Sequence, residues 1–233
     1  MSDPRRILLA GATGLVGRRV MEAAAGHPAL RLIALSRREA SMPEGARMEM
    51  LVADPAEWDE AVAAIAPDAA ICALGTTWRR AGRSEEAFRA VDRDLVVRLA
   101  EAAKRAGATR FVLVSSAGAD LAARAFYLRV KAEAEAAVTA LGFARLDVLR
   151  PGLLRGPREA DRRVLERLAI LVSPLTDHLL GGNRRGFRSI DARLVAAGAL
   201  QAALEKAPGR FVHDNASIRR LARRFEESRP GRK

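Results

Sequence analysis

Tyr127 and Lys131 stand four residues apart in a stretch of helical periodicity, so both side chains fall on one helix face, and Ser115-Ser116 closes an apolar run just upstream. A phenol ordinarily ionises near pH 10 and a neighbouring ammonium favours its charged form, so Lys131 could poise Tyr127 as a general acid or base. Ser116, or its neighbour Ser115, could then hold a carbonyl or hydroxyl oxygen in line. A tyrosine resting on a lysine stem also occurs as plain surface packing, so the pair gains meaning only from its surroundings.

Those surroundings include Gly11-Ala12-Thr13-Gly14-Leu15-Val16-Gly17, which follows a first apolar run and opens a helical one. Glycines there allow a tight turn and a close backbone approach, while free N–H groups and the helix dipole receive a pyrophosphate. A dinucleotide is the expected ligand. An NAD-specific site carries an acidic residue at the end of the second strand, but this chain reads Ser36-Arg37-Arg38 there, a set suited to a ribose 2′-phosphate and hence to NADP(H). A solvated basic turn is the plainer alternative. Asp54 either caps the helix that starts at Pro55 or accepts from an adenine amino group, and Leu74-Gly75-Thr76 closes the fourth strand at the edge where such folds bind ligands.

The elements that position these residues follow from hydrophobic patterning. Short apolar runs predict strands over Ile7–Ala10, Leu32–Leu35, Met48–Val52, Ala69–Leu74, Arg110–Val114 and Ala144–Leu149. Between them, periodicity near 3.6 predicts helices over Leu15–Ala25, Ala56–Ala64, Glu85–Ala106 and Ala125–Leu141, the third with Ser84 as its cap and Gly107 just past its end. Alternation of this kind gives an α/β fold, a doubly wound parallel sheet of Rossmann order. Residues 1–233 form one NAD(P)-binding domain, to which residues 152–233 add a small helical substrate lobe or lid. That segment holds predicted helices at Asp161–Leu171 and Asp191–Leu204, a strand near Phe211 and a last helix ending about Glu227.

Taken together, Gly11 to Gly17, Ser115-Ser116-Ala117-Gly118, Tyr127-x-x-x-Lys131 and Arg150-Pro151-Gly152 resemble the short-chain dehydrogenase/reductase superfamily over nearly the whole chain. Ala73 to Thr77 and Leu149 to Leu154 are similar to its atypical, Tat-interactive-protein oxidoreductase-like subgroup. The resemblance implies Tyr127 as acid/base, Lys131 on the nicotinamide ribose, Ser116 or Ser115 on the substrate, and Pro151 beside the nicotinamide. It implies hydride transfer between NADP(H) and a carbonyl or hydroxyl substrate, and a homodimer. The same subgroup includes NADPH-binding sensors, so a non-catalytic regulatory protein is the second expectation.

Composition sets the remaining bounds. Forty Lys and Arg against twenty-eight Asp and Glu leave a formal charge of +12, yet one tyrosine and two tryptophans offer no stacking platform for nucleic acid. Arg155, Arg158, Arg184, Arg185 and Arg188 border the predicted lobe and could receive an anionic substrate group. The apolar stretch around Leu165–Leu180 is interrupted by Pro174, Asp177 and His178, which excludes a membrane span there. His27, His178 and His213 lack metal-ligand spacing, so no metal is expected. A lone Cys72 within an apolar run and no secretory core after the N-terminus lead to a cytoplasmic expectation.

Overall fold

A computed structural model describes residues 3–39, 41–43, 48–156 and 188–229. Within them, seven parallel strands form one sheet in the order β3-β2-β1-β4-β5-β6-β9. They are β1 Arg5–Ala10, β2 Leu30–Ser36, β3 Glu49–Val52, β4 Ala69–Cys72, β5 Arg110–Val114, β6 Arg145–Leu149 and β9 Gly209–His213. A separate parallel pair joins β7 Leu154–Arg155 to β8 Ile190–Asp191.

The central strands are apolar on both faces because helices cover both. Ile7 and Leu9 of β1, Val112 and Val114 of β5 and Leu149 of β6 lie under α1 (Leu15–Ala24), α6 (Ala192–Leu204) and α7 (Asn215–Glu227). Leu8, Phe111, Leu113 and Val148 face the other way, under α2 (Trp58–Ile65), α4 (Leu95–Arg105) and α5 (Phe126–Ala140). Burial of each such side chain contributes roughly 1.5–3 kcal/mol. A sheet of this order reverses its winding beside β1, and the crevice at the carboxyl ends of β1 and β4 is where ligands of this architecture lie.

Two features depart from the sequence pattern. The stretch expected as one helix over Glu85–Ala106 is a short α3 (Glu85–Arg89), a π turn over Ala90–Asp94, and then α4. Ser84 does cap it, accepting from the Ala87 amide at 3.1 Å. The C-terminal segment is also more than a lobe: β9 extends the main sheet along β6, and α6 and α7 complete the cover over α1's face. A run as apolar as Leu194–Leu204 needs burial on a large surface, which a small lid does not supply. The helix expected at Asp161–Leu171 lies outside the described residues, as do Arg158, His178, Arg184 and Arg185.

The β6–β9 edge is secured by buried charge. Arg145 and Asp147, both facing inward on β6, pair at 2.6 and 2.9 Å, and His213 Nε2 lies 2.7 Å from Asp147 Oδ1. Arg145 also covers the Phe211 ring at 4.2 Å.

Candidate active site

At the end of β1, Gly11 has φ +90°, a conformation that L side chains rarely adopt. A Cβ on it would lie 2.4 Å from the Ala73 carbonyl oxygen, and one on Gly17 would lie 2.1 Å from the Gly11 carbonyl oxygen. The loop is thus pressed between the end of β4 and the first turn of α1, with Gly14 N–H donating to Gly11 O at 3.0 Å. Gly14 is the N-cap of α1 and offers no side-chain acceptor, and the first turn contains no acidic residue. Val16 and Gly17 are buried, Thr13 is exposed, and Leu15 and Gly14 are half-buried. An uncapped helix start behind a loop that its glycines hold close to the strand ends suits a phosphate, and these residues fit a dinucleotide pyrophosphate.

Ser36 ends β2 half-buried, followed by exposed Arg37 and Arg38, with the Arg38 amide 3.4 Å from Ser36 Oγ. The exposed Glu39 follows Arg38 in the chain. Asp54 caps the single 3-10 turn of Pro55–Glu57: its Oδ1 accepts from the Ala56 amide at 2.9 Å, while Glu57 accepts from the Asp54 amide at 3.3 Å. Capping was one of the two roles its position allowed.

Tyr127 and Lys131 lie on one face of α5, Lys131 Nζ 6.0 Å from the centre of the Tyr127 ring. Tyr127 is 42% exposed and meets Phe88 edge to face. Phe88 also belongs to an aromatic cluster with Trp78 and Phe126. Lys131 is buried, and its ammonium stands 2.7 Å from Oδ1 of Asp92, a residue of the π turn that is only 1% exposed. Oδ2 of the same carboxylate accepts the Thr76 amide at 2.8 Å, so the Leu74-Gly75-Thr76 loop after β4 is bound to the helix pair. Burial works against the ammonium, but Asp92 and then Tyr127 outweigh it and hold Lys131 above the ordinary lysine range. Cys72, directly beneath in β4, is pushed up to about 12 by burial and stays a thiol.

The two serines separate. Ser115 is buried and donates to Glu135, one turn beyond Lys131 on α5. Glu135 in turn receives Arg150, with Nη2 at 2.6 Å and Nε at 3.0 and 3.2 Å. Ser116 is partly exposed and its hydroxyl donates to the Ala117 carbonyl at 3.2 Å. Backbone bonds from Ser115 N to Leu149 O and from Ala117 N to Pro151 O, each 2.8 Å, bring Ser116 beside Pro151. Gly152 is fixed by Asn215 Oδ1 at 3.0 Å. Arg155 and Arg188 are exposed at the border of the described residues.

Asp92 and Glu135 escaped the sequence reading, because each looks like an ordinary polar residue on a helix. For Glu135 a signal existed: Tyr127, Lys131 and Glu135 succeed one another at steps of four.

A parallel sheet of this order with a glycine cradle at its reversal defines a dinucleotide-binding protein of the Rossmann class. The sequence pattern of the NAD(P)H-binding family matches residues 11–170, and the chain belongs to that family. Protein fmp52, mitochondrial, of Aspergillus fumigatus is 34% identical over 210 residues, 87% of this chain and 88% of its own. Protein HTATIP2 of Rattus norvegicus is 38% identical over 162 residues, 68% of this chain and 66% of that protein, which upholds the resemblance to the Tat-interactive-protein group. Among solved structures, the fold is shared by MoeE5 in complex with UDP-glucose and NAD (TM-score 0.67, 18% identity, 95% of this chain and 81% of that one). It is shared equally by the UDP-glucose 4-epimerase of Thermotoga maritima (TM-score 0.67, 16% identity, 95% and 82%).

The names of the fungal relatives correct the cytoplasmic expectation, since they place those proteins in the mitochondrion. A buried lone cysteine does not distinguish one reducing compartment from another. Among the described residues no helix is long and apolar enough to cross a membrane, and no group of His, Cys, Asp and Glu could hold a metal ion.

Proposed function

We propose that the protein is an NADP(H)-dependent oxidoreductase that moves a hydride between the nicotinamide and a carbonyl or hydroxyl carbon. What supports this reading is the Tyr127–Lys131 pair, which Asp92 ties to the loop after β4 against which the Gly11–Gly17 loop packs, with Ser116 just past the carboxyl end of the neighbouring β5. The bound nicotinamide supplies the hydride chemistry.

The chain's own residues do the rest. Gly11 and Gly17 let the loop pack tightly between β4 and α1 so that its backbone can approach the pyrophosphate, which the amides of Thr13, Leu15 and Val16 receive. Ser36, Arg37 and Arg38 receive the 2′-phosphate, since two adjacent guanidiniums at the strand end attract a phosphate more strongly than a bare ribose hydroxyl. Leu74, Gly75, Thr76 and Pro151 line the cofactor's path, and Asp54 borders the adenine. Ser116 orients the substrate oxygen, because the Ser115 hydroxyl already serves Glu135. Tyr127 transfers the proton to or from that oxygen, and Lys131 holds the nicotinamide ribose.

Calorimetric titration with NADPH and with NADH tests the cofactor assignment, repeated on Arg37→Ala/Arg38→Ala. Tight NADPH binding is expected, with its preference over NADH reduced about 10–100-fold in the double variant. Absence of binding to either nucleotide overturns the reading.

A further inference from the structure

We propose that Asn215 is a positioning residue of the cofactor site: its carboxamide joins Gly152 to Arg188 and so fixes the β7–β8 ladder, which reaches from Pro151 to Leu15 of the glycine loop. The proposal rests on the dinucleotide reading given above.

Asn215 opens α7 and is 8% exposed. Asp214 already caps that helix by accepting the Ser217 amide at 2.8 Å, so the Asn215 side chain is not needed there. Its Oδ1 accepts the Gly152 N–H at 3.0 Å, and its Nδ2 donates to the Arg188 carbonyl at 2.5 Å. A backbone N–H can only donate and a carbonyl can only accept, which gives the amide a single orientation. Gly152 and Arg188 each stand two residues before the first paired residues of β7 and β8, Leu154 and Ile190, so the strand register brings them level. From there the ladder continues through the bond from Ile190 N–H to Leu153 O at 2.9 Å. The Asn215 amide thus holds both strands at the point where they enter the pair.

Each end of the ladder meets a loop assigned to the cofactor. Upstream, Gly152 follows Pro151, whose carbonyl receives the Ala117 amide at 2.8 Å beside Ser116. Downstream, Gly156 packs on the glycine loop: a Cβ there would lie 3.0 Å from Leu15 Cδ1 and 3.6 Å from Ala192 Cβ. The ladder is therefore a spacer between the residues assigned to the nicotinamide side and those assigned to the pyrophosphate. Without the Asn215 amide, the Gly152 N–H and the Arg188 carbonyl lose the partner they share, and the entry to β7 can shift and carry Pro151 with it.

Two ligands locate the effect. NADPH fills both halves of the site, whereas adenosine 2′,5′-bisphosphate lacks the nicotinamide half. In Asn215→Ala, calorimetry should show NADPH binding about tenfold more weakly, the loss expected when both hydrogen bonds of a buried amide are removed, and the bisphosphate binding within about twofold of the parent protein. A purely structural role would not separate the ligands, so equal losses for both, or none for either, overturn the proposal while leaving the dinucleotide reading in place. A parent protein that binds neither ligand overturns that reading and the proposal together.

Should Asn215→Ala fail to fold, Gly156→Val tests the other end. The added side chain presses on Leu15, so both ligands should bind about tenfold more weakly, and Leu15→Ala in the same chain should recover most of the loss. Unchanged affinity in Gly156→Val, or no recovery with Leu15→Ala, overturns the proposal.

Discussion

Glu135 receives Arg150 at two points, Nη2 to Oε2 at 2.6 Å and Nε to Oε1 at 3.0 Å, and takes the Ser115 hydroxyl on the same carboxylate. This ion pair joins α5 to the ends of β5 and β6, the strand ends that carry Ser116 and Pro151. Hydrogen bonding to Glu135 raises Arg150 further above its ordinary value, against the cost of burial. Glu135→Gln keeps an acceptor for Ser115 but leaves the half-buried guanidinium without its counter-charge. Stability should fall by roughly 2 kcal/mol, read as a lower urea midpoint at unchanged slope. A midpoint equal to that of the parent protein would mean that water replaces Glu135 at no cost.

Gly17 tolerates no side chain. A Cβ there meets the Gly11 carbonyl at 2.1 Å, and the contact is backbone on both sides, so no rotamer relieves it. Gly17→Ala should cost about 1–3 kcal/mol by overpacking and push α1 away from the loop, weakening NADPH binding at least tenfold. Gly26, by contrast, has nothing within 4 Å of its Cβ position, and its φ of +71° alone opposes substitution. Gly26→Ala should therefore leave nucleotide affinity unchanged at a stability cost of about 1–2 kcal/mol. Equal losses of affinity in the two variants would contradict the cradle.

Much of this arrangement is legible in the sequence. Arg110–Val114 begins and ends as a strand where its apolar run does, and α1 starts at Leu15 within the glycine motif, as expected, because a doubly covered strand and a glycine turn each have one strong local signature. The π turn was not legible: the apolar spacing of Glu85–Ala106 stays compatible with one continuous helix, and one added residue in a turn leaves no mark on periodicity. Asp92 and Glu135 share a second obscurity. Each is a charged residue buried against a partner distant in sequence, Lys131 and Arg150, and patterning reports a residue's own polarity, not whether an opposite charge awaits it. The extent of β9, α6 and α7 in the main core was hidden for a related reason, since periodicity reveals an apolar face but not which surface covers it.

Tyr127→Phe separates catalysis from cofactor binding. The ring remains to pack on Phe88 and to meet Lys131, so the fold and NADPH affinity should change little, while any turnover of carbonyl compounds should drop about 10²–10⁴-fold. Measuring both quantities on the same preparation is essential, because a protein that only senses NADPH would retain full binding and show no turnover before or after the substitution. Turnover that survives undiminished would remove Tyr127 from the acid/base role.

His27 gives the protein a pH dependence far from the site. Its ring is buried, stacks on Phe225 at 4.9 Å, and accepts the Ala29 amide on Nδ1 at 3.3 Å, while Nε2 has no partner among the described residues. A second proton would have to go on Nδ1 and displace that amide. Burial, and then the charge of Arg229, therefore hold His27 below the ordinary histidine value. The unfolded chain takes up this proton near pH 6.5 and the folded chain only at lower pH, so His27's contribution is complete above about 6.5 and declines as pH falls below it. Chemical denaturation between pH 7.5 and 5 should show stability decreasing over this window. His27→Phe keeps the stack and removes the titration, so it should flatten the decline, while water takes over the amide of the exposed Ala29. A ring resonance of His27 that titrates above pH 6.5 in the folded protein would reverse the predicted slope and refute the assignment.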